Sequence, residues 1–222
     1  MNLTLFDLDG TLIPMDSDHA FGGFMVDVGW VDREAWGARN DEFFAQYNAG
    51  TLNLPAYIDF ATSAWRARPL AEALAMRERF MAEVMRPALQ PQAKALIEQH
   101  RAAGDLMAIV TATNVFVTEP IAEAFGVEHL IAVNLARDAQ GCYTGQIDGV
   151  PSFREGKIER VHAWLQGQGA QWSDFERITF YSDSTNDLPL LERVSHPVAT
   201  NPSPSLAKIA TERGWAQLQL FA

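Results

Sequence analysis

The chain begins with a short apolar segment that ends in two carboxylates, Leu3–Leu12, with the sequence LTLFDLDGTL. Leucine and phenylalanine followed by a glycine are typical of a buried strand that runs into a turn. Asp7 and Asp9 stand two residues apart, so a strand would point both side chains to the same side. Burying like charges this close costs several kcal/mol unless a cation compensates. The segment therefore indicates a chemical site, with an Asp-rich turn that merely closes a strand as the alternative.

The composition is that of a globular protein, with 48% apolar and 20% charged residues in 222. A chain of this length buries one good core and has room for a second, smaller one. A net charge of −11 argues against binding nucleic acid or an anionic membrane surface, and no apolar run of about 18 residues predicts a membrane span. Because a strand is predicted from the third residue on, we expect no signal peptide, and the single cysteine, Cys142, allows no intrachain disulfide. We therefore expect a cytoplasmic protein.

The region from residue 16 to about residue 87 has helical patterns and no strand pattern. The predicted helices are Met15–Gly29, Asp32–Asn48, Leu54–Ala67 and Leu70–Met85. Apolar residues at helical spacing in the last of them predict one buried face, formed by Leu70, Leu74, Met81, Val84 and Met85. Short connections favour an antiparallel bundle. We interpret residues 16–87 as a helical cap inserted after the first strand.

Strands and helices alternate through the rest of the chain. The predicted strands are Leu106–Val110, His129–Val133, Ile178–Tyr181, Pro197–Ala199 and Ala216–Phe221. The predicted helices are Pro91–Ala103, Glu119–Phe125, Lys157–Gln166, Leu188–Val194 and Ser205–Arg213, and residues 133–152 predict a β-hairpin off the main sheet. Alternation of this kind predicts an α/β fold: a doubly wound (Rossmann-like) parallel sheet with an inserted all-helical cap domain. Residues 1–15 and 88–222 would form the core.

The polar clusters of this chain all follow predicted strands. Asp7 and Asp9 follow the first strand, Thr111 the second, and Asp183 and Asp187 the fourth. Ligands bind doubly wound sheets at the carboxyl ends of the strands, so these side chains should share one cleft. Four carboxylates there need a cation, and an all-oxygen set without His or Cys favours Mg²⁺ over Zn²⁺. Taken alone, residues 182–187 would also suit a solvated loop.

Two further side chains suit phosphate chemistry. Thr111 offers a hydroxyl near backbone N–H groups at the predicted start of a helix, where it would cradle an oxyanion or simply cap the helix. Lys157 stands at the start of a predicted helix, where a cation opposes the helix dipole, so its position calls for an anionic partner. A plain surface lysine is the alternative. Of the three lysines in the chain, Lys157 alone lies in a loop at the carboxyl ends of the strands.

These polar residues, in this order along the chain, resemble the motifs of the haloacid dehalogenase (HAD) superfamily. The matching residues are DxDGT at Asp7–Thr11, Thr111 after an apolar strand, Lys157, and a GDGxND-like motif at Ser182–Asp187 in which Ser182 and Ser184 replace the commoner glycines. A helical cap directly after the first motif is similar to the phosphoserine-phosphatase-like branch (subfamily IB).

The resemblance implies a Mg²⁺-dependent phosphomonoester hydrolase that acts through an aspartyl-phosphate. Asp7 would attack phosphorus, and Asp9 would protonate the leaving alkoxide and then deprotonate the hydrolytic water. Asp7, Asp183 and the backbone carbonyl of Asp9 would hold Mg²⁺, with Asp187 in support. Thr111 and Lys157 complete the implied catalytic set. The implied substrate-binding residues are Asp16, Ala112, Thr113 and Asn186.

Other activities fit the sequence less well. A dehalogenase does not need the metal-binding acids, and a phosphonatase needs a cap lysine, whereas residues 16–90 contain none. A non-hydrolytic phosphoryl-binding or signalling module of similar fold would use neither the cap nor Asp9. A chromogenic phosphomonoester would separate this last class from an enzyme.

The sequence leaves the substrate open among small phosphorylated metabolites. Asp16 falls where phosphoserine phosphatases carry a glutamate that contacts the substrate ammonium. Arg66, Arg68 and Arg77 could hold a substrate carboxylate, although a solvated helix face is the more ordinary interpretation of each. We therefore expect a substrate of either the phosphoserine class or the histidinol phosphate class. A monomer or a small homo-oligomer is expected.

Overall fold

The computed structural model describes residues 1–221; the last residue of the predicted core, Ala222, lies outside the described residues. Its strands are β1 (Asn2–Phe6), β2 (Leu106–Asn114), β3 (His129–Val133), β4 (Leu135–Arg137), β5 (Tyr143–Ile147), β6 (Arg177–Ser182), β7 (His196–Thr200) and β8 (Ala216–Leu218). Six of them form a parallel sheet in the order β3-β2-β1-β6-β7-β8. β4 and β5 form a separate antiparallel hairpin, as predicted.

The strand order reverses beside β1. From β1 the chain first moves outward through β2 and β3, then returns to the other side of β1 with β6 and continues to β8. A crevice opens at the carboxyl ends of the strands where such a reversal occurs. The sheet therefore places the ends of β1 and β6 side by side at the natural ligand site of the fold.

Helices cover both faces of the sheet because the central strands are apolar on both faces. Leu3 and Leu5 of β1 are fully buried on one face, and Phe6 is fully buried on the other. The first face packs against α8 (Glu155–Gly167), α9 (Leu188–Leu191) and α10 (Pro204–Arg213). The second packs against α6 (Pro91–Ala102) and α7 (Val115–Phe125). The predicted doubly wound α/β fold is confirmed.

Over residues 16–87 the inserted segment contains helices joined by loops and no strand, as predicted. Its elements are α1 (Ser17–Asp27), α2 (Ala35–Asn48), α3 (Leu54–Arg66), α4 (Leu70–Phe80), a π-helical turn (Met81–Met85) and α5 (Arg86–Ala88). Trp65 of α3 is 1% exposed and stacks on Phe116 of α7 with ring centroids 4.0 Å apart. Arg66 donates a hydrogen bond to the Thr144 carbonyl oxygen at 3.0 Å. The hairpin and α7 thus fix α3 to the rest of the protein.

Two local predictions differ from the structure. Leu70 and Leu74 are 43% and 37% exposed, while Met81 and Met85 are buried. The helix buries Ala73 near its start instead, and the wider π-helical turn carries a different face inward at its end. The predicted single apolar face is therefore wrong for its first half.

The second difference concerns the segment after β2. The strand continues through Asn114, and α7 begins at Val115 instead of Glu119. Asn114 caps α7, accepting a hydrogen bond from the Val117 N–H at 3.3 Å. Thr111 therefore lies within the strand, and the predicted alternative role of Thr111 as a helix cap is wrong. No helix within residues 1–221 is both long enough and apolar enough to cross a membrane.

Candidate active site

Thr11 lies between the carboxylates that follow β1 and β6. Asp7 follows β1 directly, and Asp183 follows β6. The Thr11 hydroxyl lies 3.4 Å from Asp7 Oδ2 and 3.3 Å from Asp183 Oδ1, so the two carboxylates face each other across it. Gly10 turns the chain with φ +71°, and a Cβ atom there would lie 2.3 Å from Asp183 Oδ2. The site therefore requires glycine at position 10 for both backbone conformation and space.

Lys157 is the buried cation of the site. It lies in the first turn of α8, is 1% exposed, and places Nζ 2.9 Å from Asp7 Oδ1 and 2.7 Å from Asp187 Oδ1. Burial alone would lower the pKa of the ammonium, but the Asp187 and Asp7 carboxylates raise it above its ordinary value. Lys157 is therefore held charged, and the anionic partners expected from its position at a helix start are present.

Asp9 points toward the cap and is held from two sides. Its Oδ1 accepts a hydrogen bond from the Ser17 N–H at 2.6 Å, and its Oδ2 accepts from the hydroxyls of Thr113 at 2.9 Å and Thr111 at 3.4 Å. Burial raises the pKa of the Asp9 carboxyl to about 6, which these donors only partly oppose. A carboxyl that titrates near neutral pH is suited to accepting and returning a proton.

The raised pKa values of Asp7 and Asp183 indicate that additional positive charge would stabilise the site. Burial raises the pKa of Asp7 to about 7 against the opposing charge of Lys157. Burial, together with the nearby Asp7 and Asp187 carboxylates, raises the pKa of Asp183 well above its ordinary value. A further cation beside Asp7 and Asp183 would remove this penalty.

The donors available to that cation are oxygen atoms. Within residues 1–221, no three His, Cys, Asp or Glu side chains converge as a ready-made metal cluster. Both Asp187 oxygens lie within 2.8 Å of Lys157 Nζ, whereas Asp7 contacts Nζ through Oδ1 alone, so Asp7 Oδ2 and Asp183 remain as the facing pair. Mg²⁺ characteristically binds one or two carboxylates and retains water and substrate phosphate as its other ligands. The residues present fit a hydrated Mg²⁺ ion.

A cleft of about 480 Å³, its open mouth included, runs from the carboxylates into the cap. Its core side is lined by Asp7, Asp9, Thr111, Ala112 and Thr113, and its cap side by Asp16, His19, Asn40, Phe43, Phe44, Tyr47, Leu52, Leu54 and Tyr57. Along the described part of the chain no arginine or lysine is among the lining residues. The cleft therefore has a mainly apolar, aromatic wall with acids at its inner end.

Asp16 is a cap carboxylate that lines the cleft together with Asp7 and Asp9. It caps α1, accepting a hydrogen bond from the His19 N–H at 2.8 Å, and burial raises its pKa to about 6. The cap arginines, in contrast, are engaged away from the cleft. Arg66 bonds to the hairpin, and Arg77 bonds to the Phe116 carbonyl and the Glu119 carboxylate.

Asn186 lies beside Asp187, but its amide points to the cap. Its Nδ2 donates to the Tyr47 carbonyl oxygen at 3.1 Å, and its Oδ1 accepts from Arg154 at 3.5 Å. Of the other predicted residues, six line the cleft itself: Asp7, Asp9, Asp16, Thr111, Ala112 and Thr113. The remaining three, Lys157, Asp183 and Asp187, lie outside the lining and connect to Asp7 through the Lys157 ammonium and the Thr11 hydroxyl. The structure thus brings the predicted set together, with Asn186 at its edge.

Sequence reasoning missed several residues that support the site. Asn201 Nδ2 donates to the Gly10 and Thr11 carbonyl oxygens at 2.9 and 3.2 Å and so holds the loop after β1. Asn114 is fully buried and donates from Nδ2 to both carboxylate oxygens of Asp18 at 3.2 Å. Nothing near Asn201 in sequence signals its role. The aromatic wall could have been found from the sequence, because Phe43, Phe44 and Tyr47 share helical spacing.

Comparison with known proteins supplies the family. The family model for haloacid dehalogenase-like hydrolases matches residues 4–192. A histidinol-phosphatase from Neisseria meningitidis serogroup C (strain 8013) is 39% identical over 217 residues, which cover 98% of each chain. The chain belongs to the haloacid dehalogenase superfamily, and the prediction of a HAD-type phosphatase is confirmed.

Solved structures agree on the fold. A crystal structure of a protein of unknown function from Bordetella pertussis Tohama I superposes with a TM-score of 0.93, at 49% identity over 99% of each chain. A substrate-bound phosphoserine phosphatase superposes with a TM-score of 0.68 at 17% identity, covering 99% of this chain and 92% of that one. The latter likeness is one of fold alone.

Proposed function

We propose that this chain is a Mg²⁺-dependent phosphomonoester hydrolase that forms an aspartyl-phosphate on Asp7, with Asp9 as general acid and base. The observation that carries the proposal is the setting of Asp7. Its carboxylate lies 2.9 Å from the Lys157 ammonium, across the Thr11 hydroxyl from Asp183, and on the inner wall of a cleft that also contains Asp9.

In the first step an Asp7 carboxylate oxygen attacks phosphorus, and the bond from phosphorus to the leaving oxygen breaks. Asp9 transfers its proton to that oxygen, so the alcohol leaves neutral. Thr113 and the Ser17 N–H hold the Asp9 carboxyl in one orientation. Asp7 and Asp183 would hold Mg²⁺, which would supply neutralisation of the phosphate charge, a main requirement of phosphoryl transfer.

In the second step water attacks the phosphorus of the aspartyl-phosphate. Asp9, now a carboxylate, accepts the water proton; inorganic phosphate leaves and the Asp7 carboxylate is restored. Lys157 offsets the negative charge of Asp7 and Asp187 throughout. Thr111, Ala112 and Thr113 border the position of the phosphate. A substrate-binding role for Asn186 stays a prediction, as does direct contact between Asp187 and the metal.

The test is phosphate release from p-nitrophenyl phosphate by the purified protein. We expect activity with Mg²⁺, loss in excess EDTA, and recovery on adding Mg²⁺ back. Asp7→Asn should abolish turnover while circular dichroism stays unchanged, whereas Asp148→Asn, in an exposed loop outside the cleft, should keep the wild-type rate. Wild-type turnover by Asp7→Asn, or full activity in chelator, would contradict the mechanism.

The lining of the cleft favours one class of substrate over phosphoserine. That class is an amine-bearing phosphomonoester without a carboxylate, of the histidinol phosphate type. A carboxylate in this cleft would meet Asp16 and no lining arginine or lysine among the described residues. An ammonium or imidazolium group would meet Asp16 and an aromatic wall, which attract cations. The relative named histidinol-phosphatase agrees with this choice.

Kinetics on two substrates test this preference. We expect kcat/KM to be higher for histidinol phosphate than for O-phosphoserine. Asp16→Asn should lower kcat/KM about ten- to a hundred-fold for the amine-bearing substrate, because one charge-assisted hydrogen bond is lost. Hydrolysis of a small neutral aryl phosphate should barely change. An equal loss on both substrates would make Asp16 part of the catalytic scaffold. A cytoplasmic location and a monomeric or small homo-oligomeric state remain predictions.

A further inference from the structure

Helix α2 is anchored mainly to other cap helices, through Asn40 and Phe44 to His19 of α1 and through Trp36 to Phe60 of α3. Only Asn40 and Phe43 of its residues are buried, although Phe43, Phe44 and Tyr47 form part of the cleft wall. The connections on either side contain glycines with positive φ, Gly29 at +75° and Gly50 at +68°. A helix with few buried contacts between such connections belongs to the low-stability end of a structure.

The rest of the cap is held much more firmly. On α3, Trp65 stacks on Phe116 of the core. On α1, Asp18 is bound by Asn114, which caps α7. α2 itself rests on neighbouring cap residues, through the stacked rings of Trp36 and Phe60, for example. A movement that exposes the cleft would therefore involve α2 before α1 or α3.

Two hydrogen bonds join the segment 30–53 to the core within residues 1–221. Asn186 Nδ2 donates to the Tyr47 carbonyl oxygen at 3.1 Å, and Arg154 Nη2 donates to the Gly50 carbonyl oxygen. Arg154 Nη2 also lies 3.5 Å from Asn186 Oδ1, so the two side chains form one network, here called the latch. A cation at this position also suits the negative end of the α2 dipole.

The backbone of Arg154 is unusual. Phe153 and Gly156 close a turn through the hydrogen bond from the Gly156 N–H to the Phe153 carbonyl oxygen at 3.0 Å. Arg154 is the second residue of that turn, with φ 51° and ψ −123°, a conformation in which glycine is strongly preferred. A strained residue persists where its surroundings hold it, and strain of this kind clusters at functional sites. Arginine occupies this position in place of glycine because its guanidinium contacts Gly50.

The latch also adjoins the catalytic residues. Arg154 precedes Lys157 by three residues, and Asn186 immediately precedes Asp187. We propose that Arg154 is a positioning residue which, with Asn186, holds α2 closed over the cleft. Breaking the latch would let α2 swing on its flanking loops to admit substrate, while α1 and α3 stay in place.

Hydrogen–deuterium exchange on Arg154→Gly tests the latch without reference to catalysis. Glycine suits the turn, so the melting temperature should be unchanged or higher, while amides of residues 35–48 should exchange about tenfold faster. Amides of β1 and α7 should exchange as in the wild type. Arg160→Ala is the matched control, because Arg160 bonds only within the core, to the Val150 carbonyl oxygen at 2.9 Å. Unchanged exchange over residues 35–48 in Arg154→Gly would overturn the proposal.

The kinetic consequence rests on the proposed function and is measured separately. Arg154→Gly should lower kcat/KM about tenfold for an amine-bearing phosphomonoester, chiefly through KM, and leave acetyl phosphate, whose leaving group is too small to use the α2 wall, nearly unaffected. Arg154→Lys should restore part of the loss. Faster exchange in α2 with unchanged kinetics would refute the positioning role. Absence of phosphatase activity in the wild type, with faster α2 exchange in the variant, would refute the proposed function and leave the latch standing.

Discussion

Replacing Lys157 by methionine should destabilise the protein in a pH-dependent way. The ammonium lies 2.9 Å from Asp7 Oδ1 and 2.7 Å from Asp187 Oδ1. At an effective dielectric constant of about 20, each contact is worth about 6 kcal/mol, much of it offset by the cost of burying the charges. Removing one partner of a buried ion pair typically costs about 3–5 kcal/mol. We expect a loss of that size from the free energy of unfolding.

The pH dependence follows from Asp7. In the folded protein burial raises the Asp7 pKa to about 7, and loss of Lys157 must raise it further. A carboxyl whose pKa is higher in the folded state binds protons on folding, so its unfavourable contribution grows as pH rises and disappears as pH falls. The stability gap between wild type and variant should therefore be widest above pH 8. As the pH falls, this stability gap should narrow by about 1.4 kcal/mol per pH unit over the range in which Asp7 of the variant becomes protonated.

Urea unfolding at pH 8.5 and pH 6, in chelator to remove bound metal, measures both effects. With a denaturant slope of about 3 kcal/mol/M, the midpoint should fall by about 1–1.7 M at pH 8.5. Lys208→Met is the matched control, because the Lys208 side chain is 77% exposed and its loss should change stability by less than about 0.5 kcal/mol. Equal midpoints for Lys157→Met and wild type at pH 8.5, or a gap that widens at pH 6, would refute the reasoning.

Two further substitutions probe the catalytic loop. Asp9→Asn should slow hydrolysis by about 10²–10⁴-fold for an alkyl phosphate and less for an aryl phosphate, whose better leaving group needs less protonation; equal losses, measured as kcat/KM on both, would argue against a general acid. Gly10→Ala should remove most activity at saturating Mg²⁺ and lower the melting temperature, since the new Cβ would lie 2.3 Å from Asp183 Oδ2 at a φ of +71°. Wild-type activity and melting temperature in Gly10→Ala would show that the loop yields more easily than this packing implies.

The sequence was sufficient to predict which polar side chains converge at the strand ends, because their signals are local. Asp7 and Asp9 are adjacent to a strongly apolar strand, and Lys157 is one of only three lysines. The latch could not be predicted, because it depends on the backbone conformation of Arg154 and on contacts between residues over 100 positions apart. Leu70 was placed wrongly because a π-helical turn changes which face of α4 meets the core. Periodicity predicts a face only while the helix keeps its regular pitch.

The long separation between Asp7 and Lys157, 150 positions along the chain, has a consequence for synthesis of the protein. β1 leaves the ribosome first, yet both of its neighbours in the sheet, β2 and β6, are made more than a hundred residues later. At about 5–20 residues per second, Lys157 follows Asp7 after about 8–30 s. Until β2 is made the apolar strand has no partner in the sheet, and until Lys157 is made the carboxylate of Asp7 lacks its cation. We therefore expect that delayed collapse or binding of a chaperone protects the central strand of the nascent chain during this time.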